Sequence, residues 1–410
     1  MRRLKPPISR KTPIVLTILG VISLVFVLLS HGWTRLVIAF DSGNRWTLDF
    51  SLPARETAAV ATTICLLLAA YSWLGNIIRR LWLPIVFGIT WVFAFLVWAG
   101  AGQESPILVT NLLSGALFFS APLIFGALAG CVCEHVGVIN VAIEGDLLFG
   151  AFLAAIVGAL TGNAWFGLLA APVAGALVGC LLALFAVRYW VDHIIVGIVL
   201  NVLVLGLTNY FFNGVMQANP RLTTAVGLPA LPVPLLRDIP IVGPVFFNGN
   251  ILLYLMYAVV AGLQFMLFHS RWGLRMRACG EHPQAAGAAG IKVNRTRVRN
   301  VILGSAIAGL GGAFFTVARD LTFTKNISSG QGYIALAAMI LGRWKPVGAV
   351  LACLLFGFAL NAQQVLAIVN TALPTEFMNM APYLITIVAV AALAGKVRPP
   401  AMEGVPYGNR

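Results

Sequence analysis

The stretch at residues 271–299, RWGLRMRACGEHPQAAGAAGIKVNRTRVR, is strongly basic and separates two apolar runs that are each long enough to cross a bilayer. It carries seven basic residues against one acid, Glu281. A basic loop of this kind lies on the cytoplasmic side of a membrane. At residues 281–289 an acid and a proline precede a run of alanines, which is typical of a helix start, and Gly290 follows as a stop. The pattern predicts a short exposed helix in a cytoplasmic loop, although composition alone also fits a solvated basic loop.

The composition predicts the class of protein. The chain has 410 residues, of which 60% are hydrophobic and 10% charged, and its mean hydropathy is +0.93. A soluble core cannot bury that much apolar surface, so we predict an all-α polytopic membrane protein. The net charge of +14 comes from cations at the ends of apolar runs, where they meet lipid headgroups, and does not indicate a nucleic-acid partner. The six cysteines have no metal-ligand spacing, so no metal site is expected.

The apolar runs predict about 12 membrane segments. The run at residues 333–341 is too short to span a bilayer as a helix, and we interpret it as a half-helix. Most of the 27 Lys and Arg residues fall on one side in this arrangement, which places both termini in the cytoplasm. Residues 31–56 and 213–250 become outside loops. The segments are residues 13–30, 57–75, 81–100, 108–131, 142–160, 164–187, 194–212, 251–268, 301–317, 333–341, 349–368 and 382–394.

Two acids lie among apolar residues, whereas almost all others are in loops or tails. These are Glu144 and Asp146, in the segment INVAIEGDLLFGAF. An ionised carboxylate in hydrocarbon costs about 3 kcal/mol or more, so each acid faces a cavity or a partner group, or is wet at the cytoplasmic surface. Asn140, Asn201 and Gln331 carry neutral groups that suit sugar hydroxyls, but such amides also join membrane helices.

Several catalytic and nucleotide-binding motifs are missing from the sequence. It contains no GxxxxGK[ST] loop, so the chain lacks the usual Gly-rich cradle for ATP phosphates. It also contains no GxSxG or HExxH motif. We therefore predict that the chain is not an enzyme and binds no cofactor directly.

The order of five sequence blocks in residues 108–407 carries a family resemblance. The blocks are GVINVAIEGDLLFGAF, WGLRMRACGEHPQAAGAAGI, SAIAGLGGAF, GYIALAAMILGRWKPVGAVLACLLFGF and PYLITIVAVAALAGKVRPPAMEGVPY. Together they resemble the shorter of the two permease subunits of ABC importers that serve nucleosides and simple sugars. The chain departs from the family at His282, where asparagine is usual, at Asp146, where an apolar or amide residue is usual, and in an N-terminal extension through residue 100.

The resemblance implies a heteromeric importer in the inner, or cytoplasmic, membrane of a bacterium. Its other parts would be a second permease subunit, ABC ATPase subunits that bind ATP and Mg²⁺, and an extracytoplasmic substrate-binding lipoprotein. The chain would comprise an extension with three transmembrane helices (1–100), the permease core (101–398) and a cytoplasmic tail (399–410).

The resemblance also implies roles for residues. The basic loop would couple the permease to the ATPase through Arg275, Arg277, Gly280, Glu281, Pro283 and Ala286. The substrate pathway would include Asn140, Glu144, Asp146, Asn201 and Gln331. Nucleosides, ribose-like sugars and branched-chain amino acids stay open as substrates. The alternative functions are an ion-coupled secondary transporter, with Glu144 and Asp146 as its proton or cation site, and a purely structural membrane subunit.

Overall fold

A computed structural model of the chain describes residues 11–40, 46–74, 82–103, 105–368, 380 and 398–408. The described part is mostly helical, which confirms the predicted class. Contacts divide it into two compact units, one from Met1–Ser114, Pro234–Phe247 and Ala359–Gly395, the other from Gly115–Val233, Asn248–Phe358 and Lys396–Arg410. The helices are α1 (Lys11–Leu29), α2 (Ala54–Trp73), α3 (Trp82–Ala99), α4 (Val109–Glu134), α5 (Ile143–Thr161), α6 (Ala164–Ala183), α7 (His193–Phe211), α8 (Pro220–Thr223), α9 (Val242–Phe246), α10 (Ile251–His269), α11 (Arg271–Glu281), α12 (Pro283–Ala288), α13 (Val293–Ala313), α14 (Gln331–Leu341) and α15 (Pro346–Ile368).

A small sheet is present where the sequence predicts an aromatic outside loop. Strands β1 (Trp33–Ala39) and β2 (Thr47–Pro53) form an antiparallel hairpin, and β3 (Ile107–Leu108) pairs in parallel with β1. The start of β1 alternates between exposed and buried side chains, and β-branched residues enrich the strand. The prediction missed this sheet because it used the aromatic content of the segment rather than its period-2 pattern.

Helices α1 and α3 of the first unit pack through large aromatic side chains, whereas the buried residues of α2 are small. Phe26 on α1 lies against three rings on α3, with centroid distances of 5.4 Å to Trp91, 5.7 Å to Phe95 and 5.1 Å to Trp98. Ala61 on α2 belongs to the same buried cluster. These rings fill the space between α1 and α3.

Helices α5, α6 and α13 of the second unit pack through glycine. A Cβ on Gly150 of α5 would overlap the carbonyl oxygen of Gly309 on α13, and one on Gly175 of α6 would overlap the carbonyl oxygen of Ser305. A Cβ on Gly312 would meet the carbonyl of Leu147 in the same way. Glycine at these positions lets the backbones touch, as small residues do in membrane helix interfaces.

The predicted half-helix is confirmed as α14. Gly126 and Gly130 of α4, a GxxxG pair, face Ala335 and Met339 of α14, so the two helices run in the same direction. Extending this register backwards places Gln331, the first residue of α14, opposite the middle of α4. A short helix that begins halfway along a full-length one is the kind of broken element found in transporters.

Nine helices in the described residues are long and apolar enough to cross a membrane, and the apolar parts of α1 and α14 are shorter. Helix α13 begins at Val293 rather than at residue 301, because its polar first turns are already helical and bury Arg297. The predicted span at 382–394 lies outside the described residues. The total of about 12 segments and the cytoplasmic side of the termini stay predictions.

Candidate permeation and coupling sites

The carboxylate of Glu144, the second residue of α5, lies at the N-terminal end of α14. One oxygen accepts hydrogen bonds from Ser328 Oγ at 2.5 Å and Gly330 N at 2.8 Å. The other accepts one from Gly332 N at 2.6 Å. Free N–H groups and the helix dipole favour an anion at a helix N-terminus, so Glu144 acts as a capping group supplied by another helix.

Glu144 is buried near the middle of α4 rather than wet at the cytoplasmic surface. Its exposed fraction is 8% and that of Asp146 is zero. The interpretation of both acids as idle, solvated carboxylates is therefore wrong. The segment that follows α13 folds back to the level of the middle of α4, where Glu144 lies. Phe323 of this segment packs on Phe152 and Phe212. The sequence pattern placed this acidic turn near the surface because it did not show the returning segment.

Asn201 and Gln331 lie beside Glu144 around the start of α14. Asn201 Oδ1 accepts a hydrogen bond from Gly145 N at 2.8 Å, and its Nδ2 donates to Val141 O at 2.9 Å and to Tyr333 Oη at 3.1 Å. Asn201 thus joins α7, the turn before α5, and α14. Gln331 is 8% exposed, and its Oε1 has no hydrogen-bond partner in the part of the chain that the structure describes.

Asn140 and Asp146 form a separate polar pair that faces α13. Asn140 Nδ2 lies 3.3 Å from Asp146 Oδ2 and 3.4 Å from Ser305 Oγ. Asn140 Oδ1 accepts a hydrogen bond from Ala142 N at 3.0 Å, which fixes the turn before α5. Asp146 Oδ1 has no hydrogen-bond partner among the described residues. The five predicted pathway residues are thus divided between the start of α14 and a face of α13.

The basic stretch contains two complete helices and the first turns of α13 instead of the single predicted helix. Ser270 caps α11 through Gly273 N at 3.0 Å, so Glu281 ends α11 and does not begin the next helix. Pro283 lacks an N–H group and starts α12 at its first position. Gly290 has a φ of +84°, which confirms the predicted stop.

Half of the predicted coupling residues are buried within the chain itself. Gly280 contacts the carbonyl of His135, and Pro283 is also buried. Ala286 is 4% exposed and packs in a cluster with Cys279 and Val293. The side chain of Ala286 is thus buried by residues of the chain itself, and its role in coupling stays a prediction. The exposed positions between Arg275 and Ala288 are Arg275, Glu281, His282, Gln284, Ala285 and Ala288, with Arg277 half-buried.

The tail at residues 398–408 is bound to this stretch. Met402 N donates to Gly280 O at 2.9 Å, and Gly404 N donates to Gly137 O at 3.1 Å. The buried Arg297 donates to Val405 O at 2.8 Å. Tyr407 contacts Gly287 of α12 and joins the Ala286 cluster. The tail therefore fastens α11, α12 and α13 to the turn after α4.

Two carboxyl groups meet where the tail crosses the end of α4. Glu134 accepts a hydrogen bond from Trp344 Nε1 and shares one with Glu403 of the tail. A bond between two carboxyl groups requires a proton on one of them. Burial raises the pKa of Glu403 above its usual value, and the bond to Glu134 opposes that shift.

The partners of the predicted residues have no recognisable signal in the sequence. Ser328 and Tyr333 bond Glu144 and Asn201, and Ser305 faces the Asn140 pair. The sequence around Glu144 does not point to Ser328 as its partner. Single serines and tyrosines are common in membrane segments, so Ser328 and Tyr333 do not stand out. The fifth sequence block of the family resemblance extends into the tail. This block was the feature of the sequence that indicated a role for the tail.

Long apolar helices around a buried polar site, with a half-helix that starts inside the bundle, define a multi-pass membrane protein of the transporter class. A family described as the permease component of a branched-chain amino acid transport system matches residues 112–393. The chain belongs to this family, so it is a transport subunit and not an enzyme. Residues 1–111 lie outside the matched region.

Two relatives match most of the chain. It is 36% identical to the nucleoside ABC transporter permease protein NupC of Lactococcus lactis subsp. cremoris, over 73% of this chain and 96% of the relative. It is 35% identical to the guanosine ABC transporter permease protein NupQ of Bacillus subtilis, over 73% of this chain and 97% of the relative. No solved structure matches the chain significantly.

Proposed function

We propose that the chain is the permease subunit of an ATP-driven ABC importer that moves nucleosides across a bacterial cytoplasmic membrane. The supporting observation is its similarity to NupC and NupQ over 96% and 97% of their lengths. Both relatives are named as ABC transporter permeases, one for nucleosides and one for guanosine. The five sequence blocks point to the same class.

The importer needs further subunits. The chain has no GxxxxGK[ST] loop, so ATP and Mg²⁺ are bound by partner ATPase subunits. A second permease completes the pathway, and an extracytoplasmic lipoprotein delivers the substrate. The exposed face of α12, with Gln284, Ala285 and Ala288, is the surface that docks on an ATPase, since its small side chains permit close approach.

In this proposal the polar residues divide into two roles. Glu144 and Asn201 hold the start of α14, because their hydrogen-bonding atoms are occupied by protein groups. Tyr333 contacts the substrate, because it is 47% exposed and offers a ring for base stacking.

Uptake of labelled uridine, adenosine and ribose by a strain lacking the gene, with and without the gene restored, tests the substrate. We expect uptake of the two nucleosides and none of ribose. We also expect Tyr333→Phe to keep most of the uptake and Tyr333→Ala to lose it, because only the first keeps the ring. Ribose uptake without nucleoside uptake would contradict the proposal.

The buried Asp146 is the feature that an ion-coupled carrier would use, so the energy source must be tested separately. We expect uptake to survive collapse of the proton gradient while ATP is maintained. It should stop when the partner ATPase loses its phosphate-binding lysine. Gradient-driven accumulation in proteoliposomes that contain only this chain would establish the alternative, a secondary transporter.

Substitutions in α12 test the docking surface. We expect Ala285→Trp to leave the chain inserted in the membrane but to abolish co-purification with the ATPase. Ala70→Trp, a change at an exposed alanine of α2, is the matched control and should keep the ATPase bound. Ala286→Trp should damage the chain itself, because Ala286 lies in a buried cluster. Retained ATPase binding by Ala285→Trp would exclude this surface.

A further inference from the structure

A groove with a volume of ≈ 730 Å³ lies between α11 and α13. Trp272 and Arg275 line it from α11. From α13 it is lined by Thr296, Arg299 and Leu303, which follow one another at three- and four-residue steps and so share one face of the helix. The volume is within the range of ligand pockets.

The groove changes from basic to apolar along α13. Arg299 and Arg275 are exposed at its polar end, and the lining continues past Arg299 with Ile302, Leu303 and Ala306. In the described part of the chain, the ion pairs are formed by Arg35, Arg237 and Arg319. Arg275 and Arg299 therefore have no carboxylate partner among the described residues. The groove therefore presents two uncompensated positive charges next to an apolar wall.

Trp272 marks the boundary between the two parts. Its side chain is 47% exposed, and its Nε1 donates a hydrogen bond to the buried Asn300 Oδ1 at 3.0 Å. That bond fixes the orientation of the indole ring. Tryptophan is enriched at the level of lipid headgroups, where one side of the ring is apolar and the other wet.

We infer that this groove binds one anionic phospholipid, with the phosphate between Arg275 and Arg299 and an acyl chain along Ile302 and Leu303. A free phosphate would use only the arginines and leave the apolar wall uncovered. A phospholipid fits both parts, because its charge and its hydrocarbon are adjacent in one molecule. Basic pockets between membrane helices bind anionic headgroups in this manner. The inference assigns Arg275 to lipid instead of to the ATPase.

Native mass spectrometry of the purified complex in detergent tests the inference. The probes are dioleoylphosphatidylglycerol and dioleoylphosphatidylcholine, which have the same acyl chains, with inorganic phosphate as a competitor. The test variant is Arg275→Gln/Arg299→Gln. The matched control is Arg271→Gln/Arg295→Gln, which removes the same charge from exposed positions on the same two helices that do not line the groove.

We expect wild type and control to prefer phosphatidylglycerol, and the test variant to lose about thirtyfold of that preference, as two interfacial arginines predict. Phosphate should not displace the lipid. An equal loss of the phosphatidylglycerol preference in both double variants would overturn the proposed site. It would show that the lipid is attracted only to positive charge in general. Displacement by phosphate would reassign the groove to a soluble anion. Loss of the ATPase with an unchanged lipid preference would reassign it to protein docking.

Discussion

The N-terminal helices and the central permease helices are packed by opposite kinds of residue. In the most apolar windows of α2 and α3, 33% of the residues are buried, against 89% in α4 and 72% in α13. Aromatic rings around Phe26 fill the space between α1 and α3, whereas glycine brings α5, α6 and α13 into backbone contact.

This difference predicts how each region responds to mutation. Aromatic side chains can reorient when a neighbour changes, but two touching backbones cannot. The glycine-packed helices also carry the polar residues around the start of α14 and those that face α13. We infer that the close contacts keep those groups at fixed distances, while the N-terminal helices tolerate more variation.

Adding one methyl group to a glycine contact should have the largest effect. Gly150→Ala places a Cβ against the carbonyl of Gly309 and should destabilise the chain by about 3 kcal/mol or more. Thermal unfolding and the yield of monodisperse protein measure this. Gly88→Ala in α3 is the control, because nothing lies within 4 Å of its added Cβ. Equal melting temperatures for the two variants would contradict the contrast.

Neutralising the capping acid of α14 should rank second. Glu144→Gln keeps one acceptor oxygen but turns an NH₂ group towards a backbone donor, which should destabilise the chain by about 2–3 kcal/mol. The same substitution at Glu56, an exposed acid in the first turn of α2, should change stability by less than about 1 kcal/mol. Thermal unfolding compares them. A small effect at position 144 would show that the carboxylate is dispensable.

Removing an aromatic ring from the N-terminal cluster should have a moderate effect. Phe26→Leu keeps an apolar side chain but loses three ring contacts, so we expect a loss of about 1–2 kcal/mol. Leu28→Ala on the same helix is the control, since Leu28 is 75% exposed. Both are measured by thermal unfolding. If Phe26→Leu matched Gly150→Ala in size, the two regions would not differ in tolerance.

The smallest effect concerns pH and the tail. The pKa of Glu403 is raised in the folded state, so folding favours its protonated form. Tail docking should therefore be strongest below the usual pKa of a glutamate and weaken as pH rises through the folded pKa. Hydrogen exchange of the tail amides, corrected for the intrinsic pH dependence, measures this.

Two variants separate the contribution of Glu403 from that of other acids. Glu403→Gln should flatten the pH dependence of tail protection, because a glutamine stays neutral. Glu281→Gln, which alters an exposed acid that accepts a bond from Ala401 N at 3.4 Å, should leave it in place. An unchanged slope in Glu403→Gln would assign the pH dependence to another group.

Much of the fold was predictable because hydrophobic periods and cation positions are local features of the sequence. Apolar runs located the long helices, and the shortness of residues 333–341 identified α14 as a half-helix. The helix stop at Gly290 followed from the same kind of local signal. The start of α12 was misplaced because α11 continues through Glu281 and Pro283 begins the next helix.

The candidate site was less predictable because its partners are distant in sequence. The chemistry of Glu144 and Asn201 was recognisable from their types, but their roles depended on burial. Ala286 shows the same limit, since an alanine in a basic loop gives no sign of which side it faces. The tertiary structure placed it in a buried cluster beside the tail.

The amino-acid sequence was enough to identify a multi-pass transport subunit, because apolar length, charge position and motif order are properties of the chain as written. The capping of α14 by Glu144 is visible in the folded chain alone. Its hydrogen-bond donors are 184 to 188 residues away, and two of the three are backbone N–H groups. Every residue except proline carries such a group, so it has no signature in the sequence. It becomes a specific partner only when folding leaves it unpaired at a helix N-terminus.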